Sequence, residues 1–344
     1  MAHGVHVTTL HGLDGPAVTV SAINDWAEVV GTMSAGGGAS SAFHWQLTRG
    51  LTVLPMPGGM STMGSGVNNV GEVAITVATP SGSQAAVWPW SGAVRMLSLL
   101  STFKRGPAAP ACVARGINNG HLVVGTCFVP VLDEEAPTVW TASGRPDGLH
   151  EGGGSDGVPL EGFAYAISDA GFVSGGPDET SFSPMAFVFT PSNTLVSLAS
   201  EENGSANTSW AALAVNDSGW AAGYSPIAAG NSCLRAVAWL RLFTLHDLGT
   251  CGAATGITDD AIVVGTATDT TGHASFAFVW TADSGLRRLP GLNATGTGET
   301  SSASAINRNH QIVGSITSSG AQHAVMWTLP PALTGMSAPT LASR

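Results

Sequence analysis

Residues 306–315 read INRNHQIVGS, and variants of this stretch recur along the whole chain. Each variant has an Ile or Val, a short polar pair, a turn and a second small-and-apolar run. The seven copies begin at Ile23, Val67, Ile117, Ile167, Val215, Ile257 and Ile306, 42 to 50 residues apart. An aromatic residue follows each copy 21 to 24 residues later: Trp45, Trp88, Trp140, Phe189, Trp239, Trp280 and Trp327. Two landmarks that recur together at a nearly fixed spacing indicate a tandem repeat.

Each repeat reads as four short strands. The first strand ends at the Ile or Val, and the following Asn-Asp or similar pair tolerates the left-handed backbone of a tight hairpin. The second strand is the Val-Val-Gly run, the third ends at the aromatic residue, and the fourth is a short segment such as residues 285–289. Four antiparallel strands in a unit of this length are typical of a propeller blade. The fold class predicted is therefore all-β, a seven-bladed β-propeller, with an open β-solenoid as the alternative.

The two ends of the chain sharpen this prediction. After Trp327 the last copy runs into Pro330 and Pro331 without a clear fourth strand. The segment from Val5 to Leu13 resembles the fourth strand that precedes the last copy. The N-terminal strand is therefore predicted to complete the last blade, which would leave no open edge. Residues 1–330 are expected to form the propeller and residues 331–344 a C-terminal tail.

Composition limits the classes of function. The chain has 344 residues, a net charge of −11 and a single lysine, Lys104, so it is a poor candidate for neutralising nucleic-acid phosphates. It contains no stretch of about 18 apolar residues that could span a membrane. It also lacks a phosphate loop, a dinucleotide fingerprint, a nucleophile elbow and a metal-ligand spacing. No cofactor, no metal and no recognised catalytic motif are predicted, and the sequence leaves open whether the protein is an enzyme.

Three motifs carry a family resemblance. They are Ser304-Ala305-Ile306-Asn307 with Ile312-Val313-Gly314, Ala42-Phe43-His44-Trp45, and Asp247-Leu248-Gly249. In this combination the chain resembles the HAF-repeat family of bacterial extracellular repeat proteins over residues 5 to 328. The resemblance implies a β-propeller and export from the cell, and it carries no reaction or catalytic residue to transfer. An extracellular or cell-envelope location is therefore the expectation. The N-terminus shows no basic and apolar signal segment, so a cytoplasmic location is the alternative.

Residues present in most repeats have a structural explanation first. The seven aromatic residues are predicted to pack between blades, since aromatic rings bury the largest area. The recurring Asn24, Asn68, Asn118, Asn216 and Asn307 are predicted to bond backbone groups at the turns. A calcium role for the Asn-Asp pairs is not expected, because calcium needs six or more converging oxygens.

The informative positions are those that break the repeat. Two residues before the Ile or Val, strand alternation points the side chain into the central channel. The series there is Ser21, Ser65, Arg115, Tyr165, Leu213, Thr255 and Ser304. Arg115 and Tyr165 stand out, with Phe163 on the same face as Tyr165 and Trp210 at the start of the next repeat's first strand. These four residues are the candidate ligand site. The alternative is that Arg115 fills the channel and pairs with an acid from a neighbouring loop.

The four cysteines fall into two local pairs. Cys112 and Cys127 bracket the turn at Asn119-Gly120, and Cys233 and Cys251 bracket residue 242, the expected turn between a third and a fourth strand. Cysteines placed across antiparallel strands are within reach of a disulfide. Both pairs are predicted to be disulfides, which indicates an oxidising compartment. Four buried free thiols in a cytoplasmic protein are the alternative.

Three functions remain open on these observations. The first is a non-catalytic secreted or surface binding module that takes a small anionic or aromatic ligand, a glycan or a protein at the channel mouth. The second is a structural module of a surface or filament assembly. The third is a cofactor-independent lyase, cyclase or hydrolase in which Arg115 binds an anion and Tyr165 acts as acid or base. The third requires a nearby cation to lower the pKa of Tyr165.

Overall fold

The computed structural model describes residues 4–15, 18–36, 38–54, 60–89, 92–100, 111–129, 134–149, 160–177, 185–198, 210–226, 233–241, 243–269, 274–293 and 298–331. Every element named in these residues is a β-strand, and all strand pairings are antiparallel apart from one isolated parallel bridge. No helix in the same residues is long and apolar enough to cross a membrane. The predicted tail lies outside the described residues from position 332 onward.

The chain begins with strand β1 (His6–Asp14), and four sheets of consecutive strands follow it. The first contains β2 (Val18–Ile23), β3 (Val29–Gly36), β4 (Ala39–Gln46) and β5 (Gly50–Val53). The second contains β6 (Thr62–Val67), β7 (Glu72–Thr79), β8 (Gly82–Pro89) and β9 (Arg95–Met96). The third contains β10 (Cys112–Ile117), β11 (Val123–Val129), β12 (Glu134–Trp140) and β13 (Pro146–Gly148). The fourth contains β14 (Phe163–Ile167), β15 (Val173–Gly176), β16 (Phe187–Phe189) and β17 (Leu195–Ser197).

The next sheet has seven strands in chain order. They are β18 (Ala211–Val215), β19 (Ala221–Pro226), β20 (Leu234–Leu240), β21 (Thr244–Ile257), β22 (Val263–Thr268), β23 (Ser275–Thr281) and β24 (Gly285–Arg288). The 14-residue strand β21 joins two sequence repeats, because its first part pairs with β20 and its second part with β22. It is thus the fourth strand of one repeat and the first strand of the next.

The last sheet combines both ends of the described chain. It contains β25 (Thr300–Ile306), β26 (Gln311–Ser318) and β27 (Ala321–Thr328), and its edge strand is β1, in the order β1-β27-β26-β25. Val7 lies opposite Trp327, and Asp14 accepts a 2.8 Å contact from Nδ1 of His323. The pairing of the first and last strands was predicted from the sequence and is confirmed. None of the six sheets described closes on itself.

Apolar side chains fill the spaces between successive sheets. Of the seven repeated aromatic residues, six are at most 5% exposed and Trp280 is half-buried. Leu10 and Leu13 of β1 share a core cluster with Val20 and Phe43 of the first sheet and Val313 of the last. The last sheet therefore packs against the first, and the row of sheets returns to its start.

A β-bulge interrupts the first strand of every repeat. The register of the first hairpin shifts between Val20 and Ala22, and the same shift recurs at the equivalent place of the other six repeats. A bulge leaves one residue without a partner and re-aims its side chain. The unpaired residues are Ser21, Ser65, Arg115, Tyr165, Leu213, Thr255 and Ser304, the series that sequence alternation directed into the channel.

In six of the seven repeats a glycine of the second strand lies opposite the residue before the bulge, and in the second repeat Ile75 takes that place opposite Gly64. In the third sheet Ala114 pairs with Gly125, and a Cβ atom on Gly125 would lie 1.9 Å from the carbonyl oxygen of Val113. The equivalent glycine in the last sheet, Gly314, would place a Cβ 1.9 Å from the carbonyl oxygen of Ser302. A side chain at these positions would displace the carbonyl that the bulge turns toward the neighbouring strand.

Candidate functional site

The seven bulge residues line one cavity, to which each sequence repeat contributes a side chain. This inner cavity measures about 370 Å³. A second cavity of about 510 Å³ continues outward from it and shares Ser21, Ser65, Arg115, Tyr165 and Leu213. We call the outer cavity the bulge-side mouth; its remaining walls include Thr19, Met63 and Val113. Arg115 and Tyr165, which strand alternation directs toward a central channel, both line these two cavities.

Arg115, Tyr165 and Phe163 lie together, and the first two line the bulge-side mouth. The guanidinium carbon of Arg115 is 5.4 Å from the centre of the Tyr165 ring and 5.9 Å from that of Phe163. The two rings are tilted against each other with centres 6.0 Å apart. Arg115 is exposed, and across the described part of the chain it has neither an ion pair nor a hydrogen bond. The alternative expectation, a neighbouring acid that neutralises Arg115, has no counterpart in these residues.

The pKa of Tyr165 moves opposite to the direction an acid–base role requires. Burial, followed by the neighbouring Tyr224, raises the pKa of Tyr165 to about 12, although Arg115 acts to lower it. The acid–base alternative requires a lowered pKa of Tyr165, and this condition is not met. The reason is that desolvation penalises the phenolate more than one exposed cation stabilises it.

Trp210 does not join this cluster. Its side chain is 6% exposed, packs in the core with Val188 and Val237, and donates its indole N–H to the carbonyl of Leu198 at 3.3 Å. Counting explains the difference, since Trp210 lies five residues before Val215 whereas Phe163 lies four residues before Ile167. The two positions face opposite sides of the strand.

An apolar collar separates the inner cavity from the other end of the channel. Six of the residues that open the repeats line the cavities on both sides of the collar: Val67, Ile117, Ile167, Val215, Ile257 and Ile306. The cavity beyond the collar measures about 200 Å³ and is lined by the turns between first and second strands. We call this end the turn-side mouth.

Four aspartates and one arginine meet at the turn-side mouth. The guanidinium of Arg308 contacts Asp169 at 3.0 Å, Asp259 at 3.4 Å and Asp25 at 3.8 Å, and it also pairs with Asp217. Burial alone would lower the pKa of Arg308, but the four carboxylates outweigh it and the pKa is raised. The oxygens of these aspartates do converge, contrary to the sequence expectation, yet they converge on a guanidinium that the same chain supplies.

The recurring asparagines, each next to one of these turn positions in the sequence, link neighbouring repeats. Oδ1 of Asn118 accepts the backbone N–H of Leu122 at 2.9 Å, and its Nδ2 donates to the carbonyl of Ser168 in the next repeat at 3.0 Å. Asn307 makes the equivalent 2.9 Å bond to the carbonyl of Asn24, which connects the last repeat with the first. The predicted turn role of these residues is confirmed. Their second role, bonding between repeats, has no signal in one repeat taken alone.

Arg308 lines a cavity but is not among the site residues predicted from the sequence. It occupies the place that Asp25, Asp169, Asp217 and Asp259 hold in other repeats, so its charge reversal was visible in the aligned copies. Two histidines in the same turns also bridge repeats. His121 contacts Glu72 at 2.6 Å and His310 contacts Asp260 at 2.9 Å, and both adopt positive φ angles.

Both predicted disulfides are present. Cys112 lies directly opposite Cys127 on the paired strands β10 and β11. Cys233 is bonded to Cys251, across the turn between β20 and β21. No free cysteine is present in the described residues.

Comparisons with known proteins bear on the fold. No family model matches the chain, and no curated protein matches it, so membership of the HAF-repeat family stays a prediction. Among solved structures, the β-propeller domain of the Trilobed protease from Pyrococcus furiosus superposes with a TM-score of 0.58 at 9% identity, covering 91% of this chain and 94% of that one. A puromycin-hydrolyzing peptidase from Mycobacterium tuberculosis gives 0.56 at 12% identity over 99% of this chain and 53% of its own.

The likeness to the Trilobed protease domain establishes a β-propeller fold, and at such low identity both likenesses extend to the fold alone. A third structure, TolB from Acinetobacter baumannii, gives a TM-score of 0.48 at 9% identity over 78% of this chain. The chain spans 65% of the length of TolB and about half of the length of the peptidase.

Proposed function

We propose that this chain is an exported, seven-bladed β-propeller that binds a small molecule at the bulge-side mouth. Seven repeats each contribute one bulge residue to the same cavity, which supports seven blades. On this count the seven-stranded sheet is two blades that share β21, and residues 1–330 form one domain followed by a tail. The bond from Asn307 to Asn24 and the packing of the last sheet on the first support a closed ring.

The two disulfides support an extracellular or cell-envelope location. Disulfides persist in oxidising compartments and are rare in the cytoplasm. Each of the two joins cysteines that are close in sequence, with sequence separations of 15 and 18. The resemblance to HAF-repeat proteins favours the same location.

One observation carries the binding proposal: Arg115 is a cation without a counter-ion in the described residues, set on two aromatic rings inside a cavity of ligand size. Arg235 is paired with Asp247 and Arg308 with four aspartates. Four other arginines, like Arg115, have no ion pair in the described residues: Arg95, Arg145, Arg287 and Arg288. Arg115 differs from these four because it lines the inner cavity and the bulge-side mouth. Ligand sites commonly combine an apolar cavity of about 300–1,000 Å³ with a few placed polar groups. The bulge-side mouth has this composition.

Binding without turnover is favoured over catalysis by the state of Tyr165. A general base works best when its pKa lies near the operating pH, and the pKa of Tyr165 is raised to about 12. Tyr165 therefore keeps its proton at neutral pH and is suited to donate a hydrogen bond. The proposed role of the mouth is recognition.

Native mass spectrometry with a small-molecule extract tests the proposal. The wild-type protein is expected to retain a small-molecule adduct that Arg115→Gln loses. Arg288→Gln is the matched control, because Arg288 stacks on Phe276 at 5.3 Å in the same manner but lies outside the cavities at both mouths. The proposal is wrong if no adduct depends on Arg115, or if Arg288→Gln loses the same adduct.

A further inference from the structure

We infer that the ligand of the bulge-side mouth is a monocarboxylate with a flat apolar body, which Arg115 recognises by its charge and Tyr165 and the apolar residues of the mouth by contact. This inference rests on the proposed function and narrows it to one chemical class. It follows from the net charge of the mouth, the free N–H groups of Arg115 and the residues that form the walls.

The charge of the mouth matches a single negative charge. Arg115 is the one charged residue among those lining the inner cavity and the bulge-side mouth within the described chain. A dianion would bring a second charge into the mouth with no second cation to meet it. Complementary charge determines which ligand is admitted more than it determines raw affinity.

The way Arg115 is held leaves the carboxylate-binding part of its guanidinium available. The guanidinium carbon of Arg115 lies 5.4 Å from the centre of the Tyr165 ring and 5.9 Å from that of Phe163. A cation is attracted to aromatic rings without using its N–H groups as donors to another side chain. The N–H groups of Arg115 have no hydrogen-bond partner in the described residues, and two of them in parallel fit the two oxygens of a carboxylate.

The walls of the mouth argue against a phosphate group. Phosphate sites commonly use a helix N-terminus, whose free N–H groups point at the anion. Every residue that lines the bulge-side mouth belongs to a β-strand. The strands of the mouth use backbone N–H groups in their sheet ladders. The N–H of Ala114 donates instead to the Thr76 side chain, to Oγ1 at 3.0 Å. A lone guanidinium is better suited to a carboxylate.

The remaining walls suit an apolar body. Met63, Val113 and Leu213 line the mouth beside the aromatic pair, and Met63 is 49% exposed. Unbranched, polarizable methionine adapts to flat apolar partners and contacts aromatic rings favourably. The hydroxyl of Tyr165 keeps its proton, since burial raises its pKa to about 12, and it can donate to a carboxylate oxygen.

The opposite end of the channel fixes the direction of entry. The turn-side mouth holds four aspartates against one arginine, so its charge repels an anion. The apolar collar separates the two ends. A carboxylate therefore enters from the bulge side and meets Arg115 there.

Calorimetric titration of four probes tests the inference. The probes are phenylacetate, its neutral analogue phenylacetamide, phenyl phosphate, and acetate, which lacks the apolar body. Wild-type protein is expected to bind phenylacetate at least about tenfold more tightly than the other three. Arg115→Gln should reduce phenylacetate affinity by about tenfold or more, and Arg115→Lys should recover little because it keeps the charge without the fork. Arg288→Gln should bind as wild type does.

Two results would overturn the carboxylate class while leaving the binding site in place. One is phenylacetamide or phenyl phosphate binding as tightly as phenylacetate in an Arg115-dependent manner. The other is an absence of binding by all four probes together with an Arg115-dependent adduct from the extract. If neither the probes nor the extract give an Arg115-dependent ligand, the proposed function fails as well. Circular dichroism of each variant shows that a lost affinity is not a lost fold.

Discussion

The two mouths of the channel are built from the same repeat, yet they treat their arginines differently. At the turn side, Arg308 replaces the aspartate of other repeats and is held by the aspartates that remain. At the bulge side, Arg115 replaces a small hydroxyl and has only two aromatic rings beside it. Both residues break the repeat, but Arg308 has ion pairs whereas Arg115 has none in the described residues.

This difference separates structural from functional departures in a repeat protein. A residue that breaks the pattern and is satisfied by its neighbours contributes to the fold, because its removal leaves those neighbours without partners. A residue that breaks the pattern without a partner contributes little to stability and is available to a ligand. The predictions below test this division through the free energy of unfolding.

The largest effect is expected where the bulge itself is attacked. Gly125→Ala places a Cβ 1.9 Å from the carbonyl oxygen of Val113, so the hairpin that presents Arg115 must shift. Overpacking of this kind is expected to cost about 3 kcal/mol in chemical denaturation. Gly92→Ala is the control, because its Cβ would meet only the Pro89 side chain, at 3.4 Å. Equal losses in the two variants would contradict the role given to the bulge.

The sequence predicts the parts of this fold that repeat locally. Turn asparagines, strand order and both cysteine pairs follow from spacing, because hairpins bring residues together that are close in the chain. The pairing of β1 with β27 follows from a missing strand at one end and a spare one at the other. The bulge is not predictable from the sequence, because the residues that flank it, such as Val20 and Ala22, are apolar residues that also occur in regular strands.

The candidate site was predicted in part for a similar reason. Strand alternation and the aligned copies predict that Arg115, Tyr165 and Phe163 share one face of the first strands. Trp210 lies five residues before Val215, and this odd spacing puts it on the other face. The partners of Arg308 come from four other repeats, and Asp25 lies 283 residues away in the chain. The pKa of Tyr165 depends on burial and on Tyr224, which is in another repeat. Both depend on how the sheets are arranged in space.

A smaller loss is expected for the bonds between repeats under the turn-side mouth. Asn118→Ala removes the acceptor of Leu122 N–H and the donor to the Ser168 carbonyl, at a site only 3% exposed. The Leu122 N–H is left without an acceptor, while the Ser168 carbonyl loses one bond and keeps the N–H of Gly171, and the change is expected to cost about 2 kcal/mol in urea unfolding. The neighbouring, half-buried Asn119 offers a comparison: Asn119→Ala should cost less than about 1 kcal/mol. A larger loss at Asn119 would show that the outer ring, not the buried asparagines, holds the repeats together.

Removal of the turn-side arginine is expected to have a modest, salt-dependent effect. Arg308→Gln leaves four aspartates facing one another, but the guanidinium is 46% exposed, so the loss should be about 1 kcal/mol in low salt. Added salt screens exposed charges, and the deficit should shrink at 1 M sodium chloride. The exposed Arg287, changed to Gln, is the control and should show neither effect. A deficit unchanged by salt would mean that Arg308 acts through packing.

Tyr165 should affect stability only in alkaline solution. Its pKa is raised from 10.0 to about 12 in the folded state, so its contribution is fully present below pH 10 and is lost as the pH rises toward 12. Tyr165→Phe should match the wild type at pH 7 to 9 and lose less stability above pH 10. Absorbance titration of Tyr224→Phe, which leaves Tyr165 as the one tyrosine of the sequence, should show ionisation above pH 10, because burial, the larger cause of the raised pKa, remains. Ionisation below pH 10 would restore the acid–base interpretation of the bulge-side mouth.

The smallest effect on stability is expected at Arg115, and this is the sharpest contrast with Arg308. Arg115→Gln removes an exposed cation that has no ion pair in the described residues, and its contact with two rings is worth about 0.5 kcal/mol at such a site. The variant should unfold within about 0.5 kcal/mol of the wild type, with no dependence on salt. A loss above that of Arg308→Gln would place Arg115 among the structural residues, because only a satisfied charge is costly to remove. A neutral result leaves recognition as the reason for an arginine on the channel wall.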